Sequence, residues 1–304
     1  MQVILSQMSV LFILLAVGFA AGKIKLLTPD GNMTLTKIVL FIALPCTILN
    51  SVISSDIKIS VEETLFYLLM ALFAFVIAFA VAIPLIKLSG GERANHGLLT
   101  YMSVYSNSGF MGFPVAIALF GAAGAFFTAL FNIWFNLLSF SVGVLLIAGR
   151  GSKINLKLLF NPPLIAALLA VPIALTDFTP VGIVAEAIGL FGNFTTPGAM
   201  LVIGASLSFI PIKNAFPEWR ICLVAVIKLA LVPVVTWLVL KQFIESREML
   251  GVLVILAAMP TGAQSAMLAI WYGGDAKTAS AGIFVTTLLC AVTVPLIVYL
   301  LQIV

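Results

Sequence analysis

Two stretches of this 304-residue chain set Gly, Pro and small polar side chains inside runs that are otherwise apolar. The first reads Tyr105-Ser106-Asn107-Ser108-Gly109-Phe110-Met111-Gly112-Phe113-Pro114, and the second Met259-Pro260-Thr261-Gly262-Ala263-Gln264-Ser265. Hydroxyls and carboxamides of this kind donate and accept hydrogen bonds and carry no charge near neutral pH. Their chemistry is recognition. Gly and Pro beside them interrupt helical hydrogen bonding, and a helix that restarts after a break offers free N–H groups and roughly half a positive charge at its first turn. Two such restarts aimed at one point suit an anion. Ser106, Pro114 and Pro260 are expected at the breaks, and Asn107, Ser108, Gly109, Thr261, Gly262 and Gln264 against the ligand, with Ser265 in support. A pair of Pro/Gly kinks that only pack helices is the other account of the same residues.

Lys228 is the one charge deep inside an apolar run, about nine residues or ~14 Å from its nearer end. A buried ammonium costs at least roughly 2.5–3.5 kcal/mol at the centre of a bilayer, so it either serves the site by adding positive charge or extends its stem to the interface. No Asp or Glu lies at comparable depth; Glu186 falls near the end of its segment, and Asp177 and Asp275 in loops. A carboxylate proton relay or carboxylate sodium site therefore has no residue, while backbone carbonyls with Asn, Gln, Ser and Thr remain able to hold sodium. Asn132 and Asn136, four apart, share a helix face and can either bond between helices or support the site. His96 has no metal-ligating neighbours but Glu92, and Cys46, Cys222 and Cys290 stand singly in apolar surroundings, expected as buried inert thiols. No metal and no cofactor is expected. HExxH, GxSxG and a buried Asp pair are all absent, so an enzyme is not expected either.

The elements that must position these residues follow from composition. Hydrophobic residues make up 62% of the chain and charged residues 9%, too little polar surface to cover a soluble fold of this length. A soluble enzyme, a nucleic-acid binder and a disordered chain are excluded. The expectation is an all-α polytopic membrane protein with ten transmembrane segments, at about 3–22, 33–53, 63–87, 97–121, 125–148, 160–175, 181–209, 219–240, 249–272 and 277–302. Long unbroken apolar runs argue against a β-barrel. The first run lacks a basic leader and is followed by Lys23, so it reads as a retained helix, not a signal peptide. Of 15 Lys and Arg, 11 follow odd-numbered segments, and only Lys58, Lys241 and Arg247 lie in the opposite loops. That split places both termini outside the cytoplasm.

The halves 1–152 and 153–304 resemble each other at a shift of about 152–154 residues. Pro45 then falls on Pro197, Leu49 on Leu201, Ser54 on Ser206, Arg93 on Arg247 and Ser106 on Pro260. Five segments per half is an odd number, so the second copy is inserted upside down. Inverted five-helix repeats with broken, crossing helices 4 and 9 are a transporter pattern, with the site at the midplane.

The phrases Lys37-Ile38-Val39-Leu40 with Leu44-Pro45, Asn107 through Pro114, Lys228-Leu229 with Pro233, Met259-Pro260, and Tyr272-Gly273-Gly274-Asp275 resemble the auxin efflux carrier family, over essentially the whole chain. That family includes bacterial malate and malonate permeases and the plant PIN-FORMED proteins. The resemblance implies a scaffold of helices 1, 2, 6 and 7, a transport unit of helices 3–5 and 8–10, elevator-type motion and homodimers through the scaffold. Its partners would be a small organic anion and the lipid bilayer, with no nucleic acid. Where plant members carry a Pro-Asn pair at the first break, this chain has Ser106-Asn107, which makes Asn107 the first choice for a substrate contact. Segment 3 lacks the charged residues that support the plant site, so auxin specificity does not carry over. The expected function is a membrane-potential-driven carrier of a small carboxylate in a bacterial inner membrane. A sodium- or proton-coupled carrier and a ligand sensor on the same fold stand as alternatives.

Overall fold

The computed structural model describes residues 2–54, 59–90, 93–149, 161–176, 182–210 and 219–300. Their regular structure is helical apart from one antiparallel bridge between Ser106 and Thr261. In chain order the helices are α1 (Gln2–Lys23), α2 (Pro29–Ile38), α3 (Leu44–Ile53), α4 (Val61–Leu88), α5 (Arg93–Val104), α6 (Phe113–Leu138) and α7 (Val144–Ala148). There follow α8 (Pro162–Leu175), α9 (Gly182–Asn193), α10 (Thr195–Phe209), α11 (Trp219–Val226), α12 (Val232–Leu240), α13 (Arg247–Ala258), α14 (Gln264–Tyr272) and α15 (Ala276–Leu300).

Among the described residues seven helical stretches are long and apolar enough to cross a bilayer, and α8, at 14 residues, is a shorter apolar helix. The chain is a multi-pass membrane protein. Every expected segment meets helical residues within a few positions, but the runs at 97–121 and 249–272 are interrupted, at 105–107 and 259–263. The stretch Ser108–Ala148 is counted among the seven at 41 residues, yet Gly121 turns the backbone inside it at φ 60°, ψ −138°. Such a left-handed turn suits Gly because no Cβ obstructs it. The orientation-setting Lys58, Arg150, Lys153, Lys157 and Lys213 lie outside the described residues.

Among the described residues four π-helical turns occur, at Val39–Ala43, Ser108–Gly112, Ser139–Gly143 and Ile227–Leu231. Three of them end two residues before a proline: Pro45, Pro114 and Pro233. Proline has no N–H for the carbonyl four residues back, and its ring pushes against that carbonyl. A wider turn absorbs the conflict. Ser139–Gly143 has no such proline.

The chain forms two compact units. One comprises Met1–Leu69, Gly109–Ile133 and Phe160–Phe209; the other Met70–Ser108, Trp134–Leu159 and Ile210–Val304. Within the first, α1 lies along α10 and α3 packs on α8 and α9. The α1–α10 contact uses small residues at four-residue spacing, Gly18 and Gly22 facing Gly204 and Ser208. A Cβ on Gly18 would sit 2.5 Å from the Leu201 carbonyl oxygen. In lipid, helices gain little from hydrophobicity and associate by such close backbone approach. Polar clamps add to it: Asn32 Nδ2 donates to Ser206 Oγ at 2.8 Å, Thr47 Oγ1 bonds Thr195 Oγ1 at 2.7 Å, and Lys23 Nζ donates to the Ser208 carbonyl at 3.0 Å. The outward stripe of α1, Val10, Ile13 and Val17, is exposed as a lipid-facing surface must be.

In the second unit α5 packs on α7 and α11, α12 on α13, and α14 on α7 and α15. Cys290 is buried there, whereas Cys46 in the first unit is half-buried and Cys222 is exposed. The expectation of three buried thiols is thus corrected: Cys222 lies on the face of α11 opposite the buried Ile221, Val224 and Ala225.

Candidate functional site

The two interrupted segments meet. After Val104 the chain leaves the helix and runs alongside the stretch that follows Ala258, with Ser106 opposite Thr261. Asn107 N donates to the Pro260 carbonyl at 2.8 Å, and Gly262 N to the Tyr105 carbonyl at 3.1 Å. Thr261 Oγ1 donates to the Met102 carbonyl at 2.9 Å, and Thr261 N to Thr286 Oγ1 of α15 at 3.1 Å. The freed ends of α5 and α13 therefore satisfy each other by short β-like pairing. Gly262 allows this: a Cβ there would stand 3.1 Å from the Ser106 carbonyl oxygen. Ser106, Asn107, Ser108, Pro260, Thr261 and Ser265 are all buried, and Ser265 Oγ turns back to the Gly262 carbonyl at 2.8 Å.

Lys228 reaches the same place. It sits in the π-helical turn between α11 and α12 and is 0% exposed, so its stem does not extend to an interface. Its Nζ donates to the Val104 carbonyl at 3.1 Å and to Ser106 Oγ at 2.6 Å. The last carbonyls of α5 carry partial negative charge, and a cation is favoured against them. Among the described residues Lys228 is the single charged side chain in the buried set. The amine thus acts first on the backbone of the break.

Beyond the pairing, α14 restarts at Gln264 with Ala263 as its N-cap and no side chain capping it. Gln264 is half-buried, and Ser139 Oγ donates to its Oε1 at 3.3 Å. Tyr101 OH lies 2.7 Å from Ser139 Oγ. Neither Ser139 nor Tyr101 stands out in the sequence, because each is an ordinary residue of an apolar helix until packing joins them. Asn136 is buried in this unit. Asn132 belongs to the other unit, where its Nδ2 donates to the Thr128 carbonyl of its own helix at 2.8 Å. Gly109 and Pro114 also fall in that unit. A Cβ on Gly109 would meet nothing within 4 Å, so open space adjoins it. No cluster of three or more His, Cys, Asp or Glu able to hold a metal occurs among the described residues.

A family model described as "Membrane transport protein" matches residues 3–157 and 151–298, nearly the whole chain. The chain belongs to that family. The resemblance to auxin efflux carriers read from the sequence agrees with it. Similar proteins include an "Uncharacterized transporter" of Methanothermobacter thermautotrophicus, 26% identical over 93% of this chain and 94% of its own length. Another, from Methanocaldococcus jannaschii, is 28% identical over 91% and 92%. A "Putative malonate transporter" of Rhizobium meliloti is 27% identical over 75% of this chain and 73% of its own. As a member of the membrane transport protein family, the chain is a transporter. Its paired break is irregular backbone whose polar groups are satisfied within protein, as lipid demands of any such interruption.

Proposed function

We propose that the protein is a secondary carrier for a small organic anion, a mono- or dicarboxylate, working by elevator-type motion in a bacterial inner membrane. The observation that carries this reading is the start of α14, which no side chain caps, beside the paired break, in surroundings with Lys228 as the one buried charge and no buried carboxylate among the described residues. Free N–H groups at a helix start favour negative charge. Asn107, Ser108, Gly262 and Gln264 of the second unit face the ligand in this reading, Thr261 holds the break beneath them, and Asn136 and Ser265 of the same unit give support. In this reading the ten segments are two inverted five-helix repeats with crossing helices 4 and 9, and the termini are extracytoplasmic. Helices 1, 2, 6 and 7 form a scaffold that dimerises, and helices 3–5 and 8–10 carry the substrate. The malonate assigned to the Rhizobium relative makes that dianion the first ligand to try.

Membrane potential suffices as the driving force, because an anion leaving the cell gains roughly 2.3 kcal/mol per charge per 100 mV. The test is charge movement in proteoliposomes on a solid-supported membrane, across malonate, malate, succinate, lactate and indole acids. Saturable currents for one carboxylate class, independent of sodium and pH gradients and lost in Asn107→Ala, are expected. Currents that need a sodium or pH gradient would replace uniport with coupling, and binding without any current would make the protein a sensor.

A further inference from the structure

The geometry points to Tyr101 and Ser139 as positioning residues that fix the side-chain amide of Gln264 with its NH2 turned outward, making this edge of the site a hydrogen-bond donor matched to a carboxylate and mismatched to a cation. The inference rests on the carboxylate reading above and deepens it.

The argument is one of proton direction. A carboxamide has a donor end and an acceptor end of nearly the same shape, and only its neighbours decide which end faces where. Tyr101 is 0% exposed, and its hydroxyl lies 2.7 Å from Ser139 Oγ. Tyr105, stacked on it at 4.4 Å, gives its own proton to the Leu138 carbonyl at 2.8 Å. Gly143 lets the ring of Tyr101 lie against the π-helical turn, since a Cβ there would come within 2.6 Å of Tyr101 Cε2. So held, the phenol O–H has Ser139 Oγ as its acceptor, and a buried donor left without one is the costly kind of orphan. Ser139 therefore accepts from Tyr101 and has its own proton to give. That proton goes to Gln264 Oε1 at 3.3 Å. The acceptor end of the amide is consumed, and Nε2 with its two hydrogens faces away from Ser139.

In the opposite orientation Gln264 Nε2 would donate to Ser139 Oγ, which keeps a second lone pair for Tyr101. Tyr101 and Ser139 would then share two protons across a single hydroxyl–hydroxyl bond, and one of those buried protons would lose the acceptor that Gln264 Oε1 supplies. In that orientation Oε1 would face outward, as a sodium seat requires. The buried hydroxyl pair's need for the Oε1 acceptor thus separates an anion site from a cation site. The π-helical turn at Ser139–Gly143, for which no proline accounts, is where the relay residue sits.

The experiment measures malonate uptake into proteoliposomes for wild type, Tyr101→Phe, Ser139→Ala and Ser139→Thr. Removing either proton donor frees the amide to rotate, so the apparent KM for malonate is expected to rise about tenfold while the maximal rate per folded protein holds within about twofold. Ser139→Thr, which keeps the hydroxyl, is expected to restore the wild-type KM. A role in packing alone would reduce folded yield and leave KM in place, and wild-type KM in both Tyr101→Phe and Ser139→Ala would overturn the proposal. A second readout is independent of transport: infrared spectra of protein carrying 13C in the glutamine side-chain carbonyls. Ser139→Ala is expected to move one carbonyl band to higher frequency, and Gln264→Ala to remove that band. An unmoved band would show that the amide nitrogen faces Ser139 and would refute the orientation. If wild type carries no carboxylate at all, the transport reading fails, while the band shift still decides the orientation.

Discussion

Lys228 illustrates how one side chain can be placed by sequence and understood only by its contacts. Its depth is legible because a charge inside an apolar run has no bland explanation in lipid. What it touches is not, since Val104 and Ser106 lie more than a hundred residues away. The contacts show an ammonium closing the carboxyl end of α5, so its removal should damage the fold as well as the flux. Lys228→Met keeps the length and loses the donors, leaving a buried carbonyl short of a partner at a cost of about 1–3 kcal/mol. A lower midpoint in thermal unfolding of the detergent-solubilised protein is the expected outcome, and an unchanged midpoint would remove the clamp. Asn107, Thr261 and Gln264 were legible for a related reason: polar groups beside Gly and Pro in an apolar run call for a break. Tyr101 and Ser139 were not, because a Tyr and a Ser 38 residues apart acquire meaning only once α5 lies against the turn after α6.

Helix ends and helix contacts carry their own consequences. Asp275 precedes α15 and accepts from Lys277 N at 2.9 Å, Thr278 N at 3.2 Å and Thr278 Oγ1 at 2.6 Å. The Thr278 hydroxyl, with the backbone donors, holds its carboxyl below the usual Asp range. A depressed value in the folded state gives stability that is present above the unfolded value, near 3.9, and is lost as pH falls through the folded one. Amide exchange in the first turn of α15, corrected for intrinsic rates, should therefore stay flat from neutral pH down to about 4 and rise only below. Asp275→Ala should speed it at neutral pH, by the loss of about 1 kcal/mol of capping, and the difference from wild type should shrink at low pH where the wild-type carboxylate is protonated. Exchange in the variant equal to wild type at neutral pH would contradict the cap. At the α1–α10 contact, Gly204→Leu forces a side chain into the backbone of α1 and should cost about 1–3 kcal/mol, read as a lower unfolding midpoint. The Gly18–Gly22 spacing was in plain view in the sequence, but small residues in a membrane helix name a contact without naming the partner. Among the described π-helical turns, Pro45, Pro114 and Pro233 mark three and nothing in the sequence marks the one at Ser139–Gly143.

At the scale of the whole chain, composition alone leads to a polytopic helical membrane protein, and seven helical stretches among the described residues are long and apolar enough to span. The physical reason is that lipid forces each span to satisfy its backbone internally, so a span is written locally. The compact units are not local. Each is assembled from three separate stretches, joined by pairings such as Thr261 to Met102. Sidedness belongs to this scale as well. If both termini lie outside, as proposed, a cysteine at Leu26, exposed after α1, should react with an impermeant maleimide only after the cells are opened. One at Glu245, exposed between α12 and α13, should react in intact spheroplasts. The reverse pattern would invert the proposed topology.

The pairing of the two breaks also has a timetable. The carbonyls that end α5 are met by Lys228, Thr261 and Gly262, which leave the ribosome 124 to 159 residues after their partners. At about 5–20 residues per second, that gap lasts on the order of ten seconds. For that interval the newly inserted α5 has no protein partner for its last turn and must borrow water or the insertion machinery. A nascent chain arrested near residue 210 should therefore leave a cysteine placed at Ser106 open to a small water-soluble thiol reagent, and completion of the chain should close it.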